Sequence, residues 1–221
     1  MTKMYDLHTH TTFSDGVLIP AESARRAIMD GYAGMAFTDH ADESNYAHIL
    51  ENQLRFKEQF NAMNDDFKVI VGLELTHVRP ALIGDLAKKA RAAGADIIVV
   101  HGETITEPVE EGTNLAAVEA GVDILAHPGL ITDDVIKVGI DNGVHFEVTT
   151  RKGHSITNGH VVKRVLALGG QLVINNDYHT PGDRVSPNMA AKILTGSGLS
   201  KLEIEKVFDN NKKIFLRSLE V

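Results

Sequence analysis

Six histidines and three carboxylates are the residues of this chain whose types and spacing could do chemistry. They are His8 and His10 in DLHTH, Asp15 in SDG, His40 in TDH, Glu74 in VGLEL, His101 in VVHGE, His127 in LAHPG, and Asp177 with His179 in NNDYH. Mixed imidazole and carboxylate sets of this kind are accepted by zinc, manganese and iron. His8-Thr9-His10 is an i, i+2 pair, and on an extended strand both side chains point to one side, so both can reach one ion. Asp177-Tyr178-His179 repeats that geometry near the other end of the chain. Glu74 has two oxygens and can bridge two ions, as carboxylates do in multinuclear hydrolases. A single histidine after a strand is more often a buried structural side chain. A succession of strand ends, each carrying a ligand type, has no such structural purpose and predicts a multinuclear metal site.

Strands must deliver these side chains, and the apolar pattern supplies them. Short β-branched runs lie near residues 4–8, 34–38, 68–74, 96–100, 122–126, 144–148 and 171–175. Helical stretches are expected at 20–30, 45–63, 80–93, 112–119, 131–142 and 158–169, with two more near 187–196 and 199–209. Glycine-containing turns mark the joins, among them DGYAG before Met35 and LGGQ before Leu172. Repeated strand–helix units with buried strands imply a parallel sheet. Seven of them favour a (β/α)7 TIM-like barrel, whose active site lies where the strands end. No Gly-rich phosphate fingerprint follows the first strand, which argues against an open dinucleotide-binding sheet. The stretch 199–221 is expected to be a closing helix that stops at Asn210-Asn211, with IFLRSL packing back as a tail.

Length and composition agree with one α/β domain spanning 1–221, since barrels of this size are routinely single units. No apolar run is long enough to span a bilayer, and the N-terminus lacks a signal-peptide core. The absence of cysteine excludes disulfides and thiolate zinc sites and fits a cytoplasmic protein. The formal charge of −8 and the lack of a basic cluster argue against nucleic acid as a stable partner. That charge counts no metal, so it leaves an anionic substrate open. Oligomeric state is not legible.

These motifs resemble the PHP (polymerase and histidinol phosphatase) superfamily. DLHTHTTFSDG is similar to its first motif, TDH to its second, GLE and VVHGE to the next two, and AHPG with NDYH to the last, in the family's order. The resemblance runs from residue 5 to about residue 183. It implies a distorted seven-stranded barrel with two to three divalent ions (zinc, manganese or iron) at its C-terminal mouth. It assigns His8, His10, Glu74 and Asp177 to a first ion. Glu74 would bridge to a second ion on His101 and His127, and Asp15, His40 and His179 would hold the third. The chain departs from the pattern at Asp15, where some relatives have histidine, and at Asn175-Asn176, where serine or threonine is frequent.

The sixth strand, HFEVTTRKGHS, offers no obvious ligand but ends in cations. Arg151 presents a bidentate fork suited to phosphate, and the histidinol phosphatase branch implies an arginine in this region. Lys152 would assist, and His154 would contact phosphate or protonate a leaving group. Expected catalytic residues are therefore Glu74, Arg151 and His154; Arg151, Lys152 and His154 would contact substrate. Asp39 would orient a ligand or cap a strand. Glu103, Glu107, Glu110 and Glu111 lie in a loop that would wall the pocket, either attracting an amine or forming a solvated acidic lid. The expected activity is metal-dependent hydrolysis of a small-molecule phosphate monoester, histidinol-phosphatase-like. A phosphodiesterase or nucleotide phosphatase on the same core is an alternative. A non-catalytic RNA- or polymerase-associated module is a third, disfavoured because all nine ligand positions are present.

Overall fold

A computed structural model describes residues 3–219. The chain runs β1 (Tyr5–Asp6), α1 (Pro20–Met29), β2 (Gly34–Phe37), β3 (His40–Ala41), α2 (Tyr46–Ala62), β4 (Lys68–Leu75), α3 (Pro80–Ala92), β5 (Ile97–His101), α4 (Thr113–Glu119), β6 (Ile124–Ala126), α5 (Asp133–Asp141), β7 (His145–Thr149), a 3-10 turn (His154–Thr157), α6 (Asn158–Ala167), β8 (Gln171–Asn175), α7 (Pro187–Gly196) and α8 (Lys201–Leu219). Three helices start at a proline, whose missing N–H costs nothing at a helix N-terminus. Every paired strand is parallel, in the order β1-β2-β4-β5-β6-β7-β8, with β3 also on β4. Phe37 pairs Val71 and His40 pairs Glu74, so β2 and β3 keep one register on β4 and form one strand broken at Thr38-Asp39. Seven strands thus make a sheet nearly closed into a barrel, as expected.

The seam between β8 and β1 closes through side chains. Leu7 N donates to Asn175 Oδ1 at 2.9 Å, and Asn176 N donates to Asp6 Oδ1 at 3.1 Å. Higher up, His10 N donates to the Tyr178 carbonyl at 2.8 Å, and Thr9 bridges Tyr178 in parallel sense. Asn175 and Asn176 are therefore the residues that shut the barrel.

The period of two places Ile70, Ile97, Val99, Ile124, Ala126 and Val173 in one interior cluster, joined by Ile214 and Phe215 of α8. A second cluster fills the space between the strands and the surrounding helices. Phe215 lies against Gly34, where a Cβ would meet its ring at 2.4 Å, so α8 packs on the end where the strands begin. Here the structure differs from expectation. Asn210-Asn211 do not stop the helix, which runs on through Leu219 and takes in the segment read as a tail. Both asparagines are buried and spend their amides on the sheet, so tertiary hydrogen bonds override their weak helix propensity.

Candidate metal centre

Strand alternation continues upward from the interior cluster into the chemistry. Glu74 follows Ile70 and Gly72 on the inner face of β4, and His101 follows Ile97 and Val99 on β5. The first motif then leaves β1 and turns back on itself at Gly16. A Cβ there would lie 2.5 Å from the His10 carbonyl, so only glycine lets the Asp15 loop fold onto His10. Asp39 fixes the same loop, accepting from Thr11 N at 2.7 Å, Thr11 Oγ1 at 2.9 Å and Ser14 Oγ at 2.7 Å.

All nine expected ligand positions converge at this mouth. Glu74 lies at the centre: Oε1 is 3.2 Å from His8 Nε2 and 3.6 Å from His127 Nε2, while Oε2 is 3.7 Å from His10 Nε2 and 2.6 Å from His40 Nδ1. Asp177 Oδ1 is 3.3 Å from His10 Nε2 and 3.8 Å from His8 Nε2. Asp15 Oδ1 is 3.4 Å from His40 Nε2 and 3.2 Å from His179 Nε2. Atoms able to bind one ion gather in groups: His8, His10 and Asp177; His8, Glu74 and His127; and His10, Asp15, His40 and His179. A further group differs from the expected second set, because His154 joins His101 and His127 there and Glu74 does not. The His127 and His154 rings stack at 4.3 Å.

Whether these residues suit metal ions is answered by their partners. His8 Nε2, both nitrogens of His10 and Glu74 Oε1 are buried and have no hydrogen-bond partner among the described residues, although carboxylate and imidazole atoms crowd around them. Unsatisfied buried polar groups are costly and rare, and a divalent ion is what would satisfy them. Burial, followed by the nearby His40, pushes the His10 imidazole down to about 4, which leaves one ring nitrogen unprotonated and able to bind at neutral pH. His127 lies well below the ordinary histidine range, through burial and then His101. Burial opposes a charge on His8, but Glu147, Glu74 and Asp177 outweigh it and hold its proton, which a cation would replace. Burial likewise opposes charge on Glu74 and Asp177, yet the histidines keep both well below the usual carboxylate range. The donor set fits.

Glu147 was not foreseen from the sequence. It is fully buried on β7, and its Oε2 is 2.9 Å from His8 Nδ1 and accepts from Asn175 Nδ2 at 2.9 Å. It therefore orients His8, and Asn175 orients it. The signal was a carboxylate inside the apolar strand HFEV, where an interior position calls for a core side chain. Glu147→Gln should lower metal affinity by about tenfold, since outer partners of this kind are worth about 10–100-fold; isothermal titration reads it, and an unchanged affinity would remove the role.

The other expected residues divide. Arg151 reaches the site: its Nε is 3.4 Å from Asp177 Oδ2, and its Nη1 is 2.8 Å from His179 Nδ1 and 3.6 Å from Asp183 Oδ2. His154 is buried, with Nδ1 2.8 Å from Thr104 Oγ1 and 3.1 Å from Thr106 Oγ1, so Nε2 faces the mouth. Lys152 is exposed and forms no hydrogen bond or ion pair among the described residues, so the structure does not bring it in. Of the acidic loop, Glu107 reaches the site, 3.1 Å from His101 Nε2 and 3.3 Å from His154 Nε2. Glu103 instead accepts from the backbone of Gly112 and Asn114. His77, three residues after Glu74, lies 3.6 Å from Glu107.

A parallel barrel with clustered imidazoles and carboxylates at its C-terminal mouth is an arrangement that could hold divalent ions. The pattern of the PHP domain matches residues 6–103. Uncharacterized protein MJ1295 of Methanocaldococcus jannaschii is 45% identical over 97% of this chain and 99% of its own length. The chain belongs to the PHP domain family. The 5'-3' exoribonuclease Rnm of Salmonella typhimurium is 27% identical over 75% of this chain, which spans about half (55%) of that protein. Among solved structures, a chain of archaeal ribonuclease P with mature tRNA superposes with a TM-score of 0.72 at 18% identity, covering 96% of this chain and 91% of that one. Histidinol phosphate phosphatase of Lactococcus lactis, solved with zinc, L-histidinol and phosphate, gives 0.61 at 17% identity, covering 96% and 94%. At such identities these two share the fold. Family membership and the donor set together support a metal-dependent phosphoesterase. No helix among the described residues is long and apolar enough to cross a membrane.

Proposed function

We propose that this protein hydrolyses a small-molecule phosphate monoester at the nine-residue centre, with His8, His10, Asp15, His40, Glu74, His101, His127, Asp177 and His179 holding two to three divalent ions. The observation that carries this reading is the set of buried, unpartnered nitrogen and oxygen atoms around Glu74. When bound, the ions would supply Lewis acidity toward water and phosphate. The chain's own residues do the rest. Glu74 and Asp177 fix the spacing of the imidazoles, and Glu147 holds the His8 ring. Arg151, about one-quarter exposed beside Asp177 (27%), turns its guanidinium to phosphate oxygens entering the mouth. Burial holds the His154 imidazole below the ordinary histidine range, so its Nε2 suits receiving the proton of the attacking water, while the leaving oxygen takes its proton from solvent. That role differs from the leaving-group acid expected from sequence.

The acidic mouth favours a small substrate. Asp183 lies 3.6 Å from Arg151 Nη1, and Asp15 and Glu107 add carboxylates beside His40 and His101, a balance of charge that disfavours a long polyanion. Exonucleolytic phosphodiester cleavage is the second reading, and the exoribonuclease relative speaks for it. A non-catalytic RNA-associated module, suggested by the ribonuclease P neighbour, is the weaker one because all nine positions are retained. Manganese- or zinc-loaded protein would be given a matched aryl phosphomonoester and phosphodiester, with a chelated control. Faster monoester cleavage supports the proposal, faster diester cleavage moves the substrate to nucleotides, and cleavage of neither by ion-loaded protein overturns hydrolysis. Arg151→Ala should raise KM for the phosphorylated substrate about tenfold or more, as expected for losing a charge-assisted contact of about 1.5–3 kcal/mol. Unchanged kinetics would take Arg151 out of the pocket.

A further inference from the structure

The nine-residue set leaves Glu107 and His77 unused, yet both converge on one of its members. The ligand atoms of His77, His101 and Glu107 all lie within 4.8 Å of one another. Glu107 Oε2 is the common neighbour, 3.1 Å from His101 Nε2 and 3.6 Å from His77 Nε2, and the two imidazole rings stack at 5.2 Å. His101 Nδ1 faces the Gly102 carbonyl at 3.2 Å, so Nε2 is the nitrogen free to bind. We propose that His77, His101 and Glu107 form an outer cation station at the barrel mouth, from which a divalent ion passes inward through His101. This rests on the metal-hydrolase reading and adds a site to it.

One lone pair decides the relation between the two positions. His101 Nε2 can serve a single ion at a time, and it also belongs to the inner group with His127 and His154. The outer and inner positions are therefore alternatives linked by a shared ligand, and an ion moving between them never loses its hold on His101. Exposure falls along that line: the side chains of His77 and Glu107 are 44% and 39% exposed, those of His101 and His127 only 4% and 1%. Two imidazoles and one carboxylate make a set that zinc and its neighbours accept.

The backbone supports the station independently. Three non-glycine residues among those described have left-handed φ: His127 at 27°, Asp177 at 50° and His77 at 52°. Such strain gathers where a fold must aim a functional side chain. Two of the three are members of the nine, and the third is His77. The loop carrying Glu107 is held at its base, where Glu103 Oε1 accepts from Gly112 N at 3.0 Å and Asn114 N at 2.8 Å. Asn114 Nδ2 then donates to the Pro128 carbonyl at 2.9 Å, beside His127. Glu107 thus projects from an anchored frame.

The test follows zinc uptake by the full-length apo protein, in stopped flow against a fluorescent chelator, with ions counted after dialysis. Glu107→Gln and His77→Ala should each slow uptake about tenfold, the loss expected for one weakened ligand, while the dialysed ion count stays that of the unaltered chain. Uptake at the unaltered rate in both variants overturns the station and leaves the inner centre standing. An unaltered protein that takes up no zinc overturns both readings.

Discussion

His10→Ala should abolish metal-dependent turnover while leaving the protein folded. His10 belongs to two ligand groups at once, one with His8 and Asp177 and one with Asp15, His40 and His179. Its ring lies 4.2 Å from that of His40 and 4.1 Å from that of His179, so its loss opens both positions. Lewis-acid stabilisation is worth several kcal/mol, and about 1.4 kcal/mol is tenfold in rate, so kcat/KM should fall on the order of a thousand-fold. The fold should survive because neither His10 ring nitrogen has a hydrogen-bond partner among the described residues, and its structural tie, the bond from its backbone N to the Tyr178 carbonyl, is retained. Without metal the variant should melt no lower than the parent, since an unsatisfied buried polar side chain has been removed. The stabilisation that added zinc gives the parent by mass action should shrink. Metal titrations followed by thermal melts and turnover read all three. Full activity in the variant would sink the site.

Asn211→Leu should be the most destabilising single change that touches no ligand. Asn211 Oδ1 accepts from Ile174 N at 3.0 Å, and Nδ2 lies 2.9 Å from the Ile174 carbonyl, 2.9 Å from Asn175 Oδ1 and 3.1 Å from the Tyr5 carbonyl. One amide thus serves both strands of the β1–β8 seam. Leucine has similar volume but satisfies none of these buried groups, and each unsatisfied group costs about 1–3 kcal/mol. A loss of about 3–5 kcal/mol is expected, a large part of the roughly 5–15 kcal/mol that holds a typical domain. Urea unfolding should show a lower midpoint with an unchanged slope. Asn175 would also lose a partner, and through Glu147 the His8 ring would loosen, so metal affinity should fall as well. A destabilisation under about 1 kcal/mol would show that the seam does not depend on Asn211.

The strands, the barrel and the nine converging residues were legible because each rests on local periodicity. Alternation along β4 and β5 fixes that Glu74 and His101 share the inner face, and the HTH pair does bring His8 and His10 into one group. Asp177 instead has a left-handed φ of 50° and shares no such group with His179 among the described residues, so the extended-pair rule does not hold for DYH. Family motifs added which residues belong to one mouth. The helix through Asn210-Asn211 was not legible, because its asparagines are satisfied by carbonyls of β8 and β1 that are distant in sequence. Glu147 was hidden for the same reason: its partner His8 lies 139 positions away. His154 joins the second group only because the 3-10 turn carries it against His127, and His77 with Glu107 meet across two loops that no spacing relates. The sequence by itself determined which metal-binding residue types the strand ends present, since residue type and strand period are local. Tertiary structure alone decided which atoms share an ion, which side chains orient them and how the barrel closes, because those are contacts between segments that meet only when the barrel forms.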